Sequence, residues 1–187
     1  NLEFGEEMQG IYASVAAPIA LIQSGATYVY STLLGLFAKS YYSGDFRAFC
    51  RMLGKVSLGM LLLVAVVGAI LELIGPMALQ LLYGEGMGQY AYLILPMVIC
   101  SVVTAYLWFL NDLLLVMRLN LRNAVCNVVG VVASFLFTFP LVDLFDMNGV
   151  SFTGIVSYGV AVVLSAICVF SGLRKMRSSS DARSGGV

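Results

Sequence analysis

Five apolar runs, each long enough to cross a bilayer, divide the sequence and leave little polar material between them. They span 11–38, 56–82, 91–117, 124–142 and 150–173. Only 11% of the residues are charged, whereas a typical soluble domain has about 25%. Because so few charges cannot cover a water-facing surface, the sequence predicts an integral membrane protein with about five transmembrane segments.

The runs predict helices rather than barrel strands. None of them alternates between polar and apolar residues with a period of two, as a transmembrane barrel strand does. Backbone groups in lipid must find their hydrogen bonds within the protein, and a single helix satisfies its own. The predicted fold class is therefore all-α.

The distribution of charge predicts an orientation. All basic residues lie on the second, fourth and last flanks of the five runs: Lys39, Arg47, Arg51, Lys55, Arg118, Arg122, Arg174, Lys175, Arg177 and Arg183. The remaining flanks are acidic. Because loops rich in Lys and Arg stay cytoplasmic, the N-terminus is expected outside and the C-terminus inside. Residues 1–10 would then be an external segment, and 174–187, rich in Ser, Gly and charge, a disordered cytoplasmic tail.

The loop between the first two runs has the pattern of a separate amphipathic helix at about 43–55. Arg47, Arg51 and Lys55 are four residues apart on one face, while aromatic and aliphatic residues recur on another. Ser43 or Asp45 can cap its start, with Gly44 allowing the chain to turn. We expect this helix either to lie at the cytoplasmic surface with its basic side toward anionic lipid, or to pack on its neighbours as a topogenic loop.

Residues for enzymatic chemistry are missing from the sequence. The chain has no histidine, so a Ser-His or Cys-His nucleophile is excluded within it. The four cysteines are far apart in sequence, and no phosphate-binding GxxxxGK[ST] loop is present. We therefore expect no catalytic residues, no metal site, no cofactor and no nucleic-acid partner.

Two sets of polar residues inside the runs are candidates for a substrate cavity. The first is a row in the first run, formed by Gln23, Thr27, Tyr30 and Ser31. Such a row either lines a wet cavity or makes hydrogen bonds between helices.

The second set is the pair Asn111 and Asp112 in the third run. An acid inside a membrane span is a functional candidate. The alternative is that Asp112 approaches the cytoplasmic interface and pairs with Arg118 or Arg122.

Four segments together resemble the C-terminal half of polysaccharide (O-antigen) flippases in the multidrug/oligosaccharidyl-lipid/polysaccharide exporter superfamily. They are SGDFRAF, LLYGEGM, LLLVMRLNLRNAVCNVVG and NGVSFTGIVSYGV. The resemblance extends from about Gly10 to Arg177, and the order and spacing of the segments carry it.

This resemblance implies the C-terminal bundle of a transporter of twelve or fourteen helices in a bacterial inner membrane. The implied activity is alternating-access transport of a polyprenyl-diphosphate-linked oligosaccharide. The implied partners are membrane lipid, the lipid-linked oligosaccharide, the N-terminal half of the transporter and a coupling ion, H⁺ or Na⁺. The sequence departs from its relatives in having no basic residue within a run. A drug antiporter of the same superfamily and a non-transport membrane scaffold are the alternatives.

Overall fold

The computed structural model describes residues 6–84 and 86–184, and within them the chain is helical without strands. The elements are α1 (Glu6–Ser31), α2 (Leu34–Tyr42), α3 (Phe46–Tyr83), a 3₁₀ helix (Met87–Leu93), α4 (Ile94–Val116), α5 (Asn120–Phe145) and α6 (Met147–Ser184). The all-α prediction is confirmed.

Four of these helical segments are long and apolar enough to cross a membrane, judged by length and composition. They are Phe46–Tyr83, Met87–Val116, Asn120–Phe145 and Met147–Lys175. They correspond to the second to fifth apolar runs of the sequence. The coarse prediction of a membrane protein with transmembrane helices is therefore supported.

The first apolar run, 11–38, is divided between α1 and α2 by a turn at Thr32 and Leu33. Two consecutive hydroxyls there bond back to the preceding turn: Ser31 Oγ donates to the Tyr28 carbonyl at 3.0 Å, and Thr32 Oγ1 to the Val29 carbonyl at 2.8 Å. Such bonds compete with the backbone hydrogen bonds of a helix. They explain why one apolar run forms two helices.

The segment 43–55 is not the separate amphipathic helix that the sequence predicted. Its start is as expected, because Asp45 accepts a hydrogen bond from the Ala48 amide at 2.9 Å and Gly44 has a φ of 75°. From Phe46, however, the helix continues to Tyr83 without interruption. No helix-breaking residue stands where Lys55 meets Val56. Each residue added to an existing helix also gains one backbone hydrogen bond. The basic face is thus the first three turns of α3.

Both predicted end segments are partly helical in the structure. α6 continues to Ser184, so residues 174–184 are not the disordered tail that their composition predicted. After Gly172 the next glycine is Gly185, so no helix-breaking residue intervenes. At the other end α1 already begins at Glu6, within the expected external segment. Residues 1–5 and 185–187 lie outside the described range.

α4 is the central helix of the bundle and packs against α1, α3 and α6. One half of its core is aromatic: the ring of Phe109 lies 5.4 Å from Tyr30 and 5.5 Å from Phe37, centroid to centroid, and Phe37 lies 5.1 Å from Phe49. The other half is aliphatic and gathers around Val98. Because α4 is central, its side chains can contact residues of α1, α3 and α6.

α5 and α6 make the most extensive helix–helix contact, and small residues let their backbones approach. A Cβ placed at Gly130 would lie 3.0 Å from the Ala161 Cβ and 3.4 Å from the Ser157 carbonyl oxygen. Close approach through small residues is the usual way that helices associate in lipid. Gly130 and Gly154 are both in tight contacts, with Gly154 next to Cys100.

Candidate functional site

One face of α4 remains uncovered although the rest of that helix is core. Trp108 is 45% exposed and Leu115 is 51% exposed, whereas Phe109, Leu113 and Leu114 are fully buried. Asn111 and Asp112 are half-buried at the margins of this face. The two polar residues of α4 therefore stand where the helix changes from buried to open.

On the α1 side, Asp112 faces Tyr30. The Tyr30 hydroxyl is close enough to the Asp112 carboxylate and to Thr27 for an electrostatic influence between them. The Tyr30 ring itself is 2% exposed and packs on Phe109. Tyr30 is thus a core residue whose polar end reaches the acid of the neighbouring helix.

On the α5 side, Asn111 is joined to Asn127. Each side-chain amide nitrogen lies 3.3 Å from the other residue's amide oxygen. The Asn127 amide also donates to Asn123, at 2.9 Å to its backbone carbonyl and 3.0 Å to its side-chain oxygen. This amide network bridges α4 and α5.

Asn111 and Asp112 therefore connect a polar row on α1 to a polar row on α5. We call Tyr30, Asn111, Asp112 and Asn127 the polar junction. Tyr30 was proposed from the sequence in one set and the pair Asn111 and Asp112 in another, but Asn127 was missed. The signal was present, since Asn123, Asn127, Ser134 and Thr138 recur at helical spacing along one face of α5.

A cavity of about 510 Å³ lies beside the junction, between α5 and the helices α4 and α6. Its polar lining residues are Asn127, Ser134, Thr138 and Tyr158, and Leu107 closes it on the α4 side. The Thr138 hydroxyl donates to the Ser134 carbonyl at 2.6 Å. The cavity has the volume of an ordinary small-molecule site, and its mostly apolar wall offers a few amide and hydroxyl groups.

The polar residues of the α1 row differ in whether their side chains have hydrogen-bond partners within the protein. Thr27 donates to the Gln23 carbonyl at 3.0 Å, and the exposed Ser31 donates to the Tyr28 carbonyl. These hydroxyls are satisfied within their own helix. Gln23 is half-buried, and its side-chain amide has no hydrogen-bond partner among the residues that the structure describes. Gln23 is the member of the row whose amide needs water or a ligand.

The two arginines considered as partners of Asp112 make other contacts. Arg122 donates from Nη1 to the Ser171 hydroxyl at 2.7 Å, tying α5 to α6. The Arg118 guanidinium lies over the Tyr42 ring, 6.0 Å from its centroid. The structure thus places the Tyr30 hydroxyl, not an arginine, beside the acid.

The chemistry that the junction offers is hydrogen bonding with one acidic group. Amides and hydroxyls can donate to and accept from sugar hydroxyls or water. Within residues 6–84 and 86–184, no group of three His, Cys, Asp or Glu side chains could hold a metal ion.

By length and composition, the four apolar segments indicate that the chain is an α-helical membrane protein. Comparison with protein-family models, with curated proteins and with solved structures found no match.

Proposed function

We propose that the chain is the C-terminal bundle of a polysaccharide flippase, which moves a lipid-linked oligosaccharide across a bacterial inner membrane by alternating access. The observation that supports this best is the polar junction with its adjoining cavity. Amide and hydroxyl groups, rather than fixed charges, accumulate there inside an otherwise apolar bundle. A glycan presents hydroxyl groups that match them, while its lipid carrier stays in the bilayer.

The proposal includes five crossings with the N-terminus outside, in a transporter of twelve or fourteen helices. α1 has 26 residues, which at 1.5 Å per residue gives about 39 Å, more than the hydrocarbon core requires. The basic residues at the start of α3, between α4 and α5, and near the end of α6 then share the cytoplasmic side. This alternation supports the proposed orientation.

Asp112 gives a second candidate, an ion-coupled antiporter for small molecules. An ion-coupled antiporter needs a carboxylate within the membrane that exchanges H⁺ or Na⁺. Asp112 lies in α4 beside Tyr30, and the nearby arginines bind elsewhere. In that case Asp112→Asn would abolish transport, whereas a flippase that relies on neutral hydrogen bonds would keep most of its activity. A non-transport scaffold would be favoured by a closed bundle with no polar cleft, whereas this bundle has an open cavity of about 510 Å³.

The orientation predicts which loops react from each side. With the native cysteines replaced, single cysteines at the exposed positions Ser43 and Gln89 should be labelled from opposite sides of the membrane, Ser43 from the cytoplasm. The measurement is modification by a membrane-impermeant maleimide in intact cells and in inverted vesicles. Labelling of both positions from the same side would refute the proposed crossings.

The glycan-binding role predicts a selective effect of Gln23→Leu. Leucine has about the volume of glutamine but no amide, so export of the lipid-linked glycan should fall at least about tenfold if two hydrogen bonds to substrate or water are lost. Protein abundance should stay unchanged. The measurement is surface glycan per cell together with membrane-protein level. Gln89→Leu, at an exposed position of the 3₁₀ helix, is the matched control. Full export with reduced abundance would make Gln23 a packing residue.

A further inference from the structure

A second, apolar groove lies between α1 and α3, and Tyr30 of the polar junction forms part of its lining. It has a volume of about 440 Å³, and its lining includes Gly25, Val29, Gly59 and Leu63. Lys55 is the charged member of the lining and is exposed. An apolar groove with one cation in its lining has the polarity of a site for an amphiphile.

Two glycines keep this groove open. A Cβ placed at Gly25 or at Gly59 would meet nothing within 4 Å. Neither glycine is therefore explained by close helix packing, in contrast to Gly130 on α5. What they leave is free volume between two membrane-length helices.

The basic face of α3 leads directly into the groove. Arg47, Arg51 and Lys55 are exposed and four residues apart, and the same spacing continues through Gly59 and Leu63. From Arg47 to Lys55 the row extends about 12 Å along the helix. None of the three cations forms an ion pair with an acidic side chain in the described part of the chain. Their charge is free to meet an anion at the membrane surface.

We propose that the α1–α3 groove binds an anionic membrane phospholipid, with one acyl chain along Gly25 and Gly59 and the phosphate on Lys55 and Arg51. The cations offer charge-assisted hydrogen bonds to phosphate, and the groove offers apolar contact to the chain. The two parts adjoin because α3 is continuous from Phe46, so that Arg51, Lys55 and Gly59 follow one another at successive turns along an inclined row of the helix surface. This site adjoins the polar junction through Tyr30 but does not depend on the proposed transport.

Photocrosslinking in nanodiscs of phosphatidylcholine tests the site. The full chain is given a few mole per cent of phosphatidylglycerol, or of phosphatidylcholine, carrying the same diazirine acyl chain. Mass spectrometry then measures labelling of α1 and α3 peptides. We expect severalfold more labelling by the anionic probe, and about a fivefold loss for each cation removed in Lys55→Gln and Arg51→Gln. Arg174→Gln, an exposed cation on α6, should change nothing.

Filling the groove tests the chain site independently of charge. Gly59→Leu should reduce labelling by both probes severalfold, whereas Gly54→Leu, equally open and on the same helix, should not. Circular dichroism of each variant monitors the fold. Equal labelling of the wild-type groove by the two probes would mean annular lipid only and would overturn the proposal. So would labelling by the anionic probe that persists unchanged in the Lys55→Gln, Arg51→Gln double variant.

Discussion

Replacing Gly149 with alanine is expected to destabilise the α5–α6 corner by at least about 3 kcal/mol, the upper end of the usual cost of overpacking. A Cβ at this position would lie 2.5 Å from the Cα of Val142 and closer still to the carbonyl oxygen of Leu141. These are backbone atoms, which cannot turn aside as a flexible side chain can. The corner is further fixed by Asp146, which has a φ of 49°. The measurement is the melting temperature of the purified protein in detergent.

A loss of this size is serious, because stabilities of about 5–15 kcal/mol are typical of whole proteins. We therefore also expect a smaller monodisperse fraction on size-exclusion chromatography. Gly159→Ala on α6 is the matched control, since a Cβ there would meet nothing within 4 Å. Alanine favours helix by about 0.5–1 kcal/mol over glycine, so this control should be neutral or stabilising. Equal melting temperatures for the two variants would contradict the close approach at Gly149.

The helices could be predicted from the sequence where a single local property, such as apolar length or a capping residue, determines their extent. Apolar length anticipated the four membrane-length segments, and the side chain of Asp45 with Gly44 anticipated the start of α3. The errors came from judging polar segments separately from the helices that continue into them. A basic pattern at 47–55 does not require a separate helix, because an adjoining apolar helix propagates through it. The prediction of disorder at 174–184, made from composition alone, was wrong for the same reason.

The candidate site could be predicted only in part. Asn111 and Asp112 could be identified as polar residues in an apolar run, because polarity is a property of each residue alone. That Asn111 meets Asn127 on α5 while Asp112 meets Tyr30 on α1 depends on how three helices pack. Helical spacing on α5 could have identified the row of Asn127, Ser134 and Thr138, but not the helix that it faces. The choice of partners is therefore tertiary information.

Phe109→Ala is expected to lower the free energy of unfolding by about 2 kcal/mol, less than in a water-soluble core. In such cores this change costs about 3–5 kcal/mol, of which about 1.5–3 kcal/mol reflects transfer of the side chain from water. Between helices in lipid that transfer term is absent, because lipid tails are as apolar as the core. The loss of packing remains. Phe109 is fully buried and its ring contacts Tyr30, Phe37 and Tyr106.

The same substitution at Phe135 isolates the packing contribution. Phe135 lies on α5 at the rim of the 510 Å³ cavity and is 76% exposed, so its removal widens that opening and leaves no enclosed void. We expect Phe135→Ala to lower the free energy of unfolding by less than about 0.5 kcal/mol, as for other substitutions away from packed sites. Steric-trapping measurements of unfolding in bicelles give both values on one scale. Equal losses would show that the aromatic cluster around Phe109 is not the packed core of the bundle. A loss of about 4 kcal/mol at Phe109 alone would mean that its unfolded reference state is in water, not in lipid.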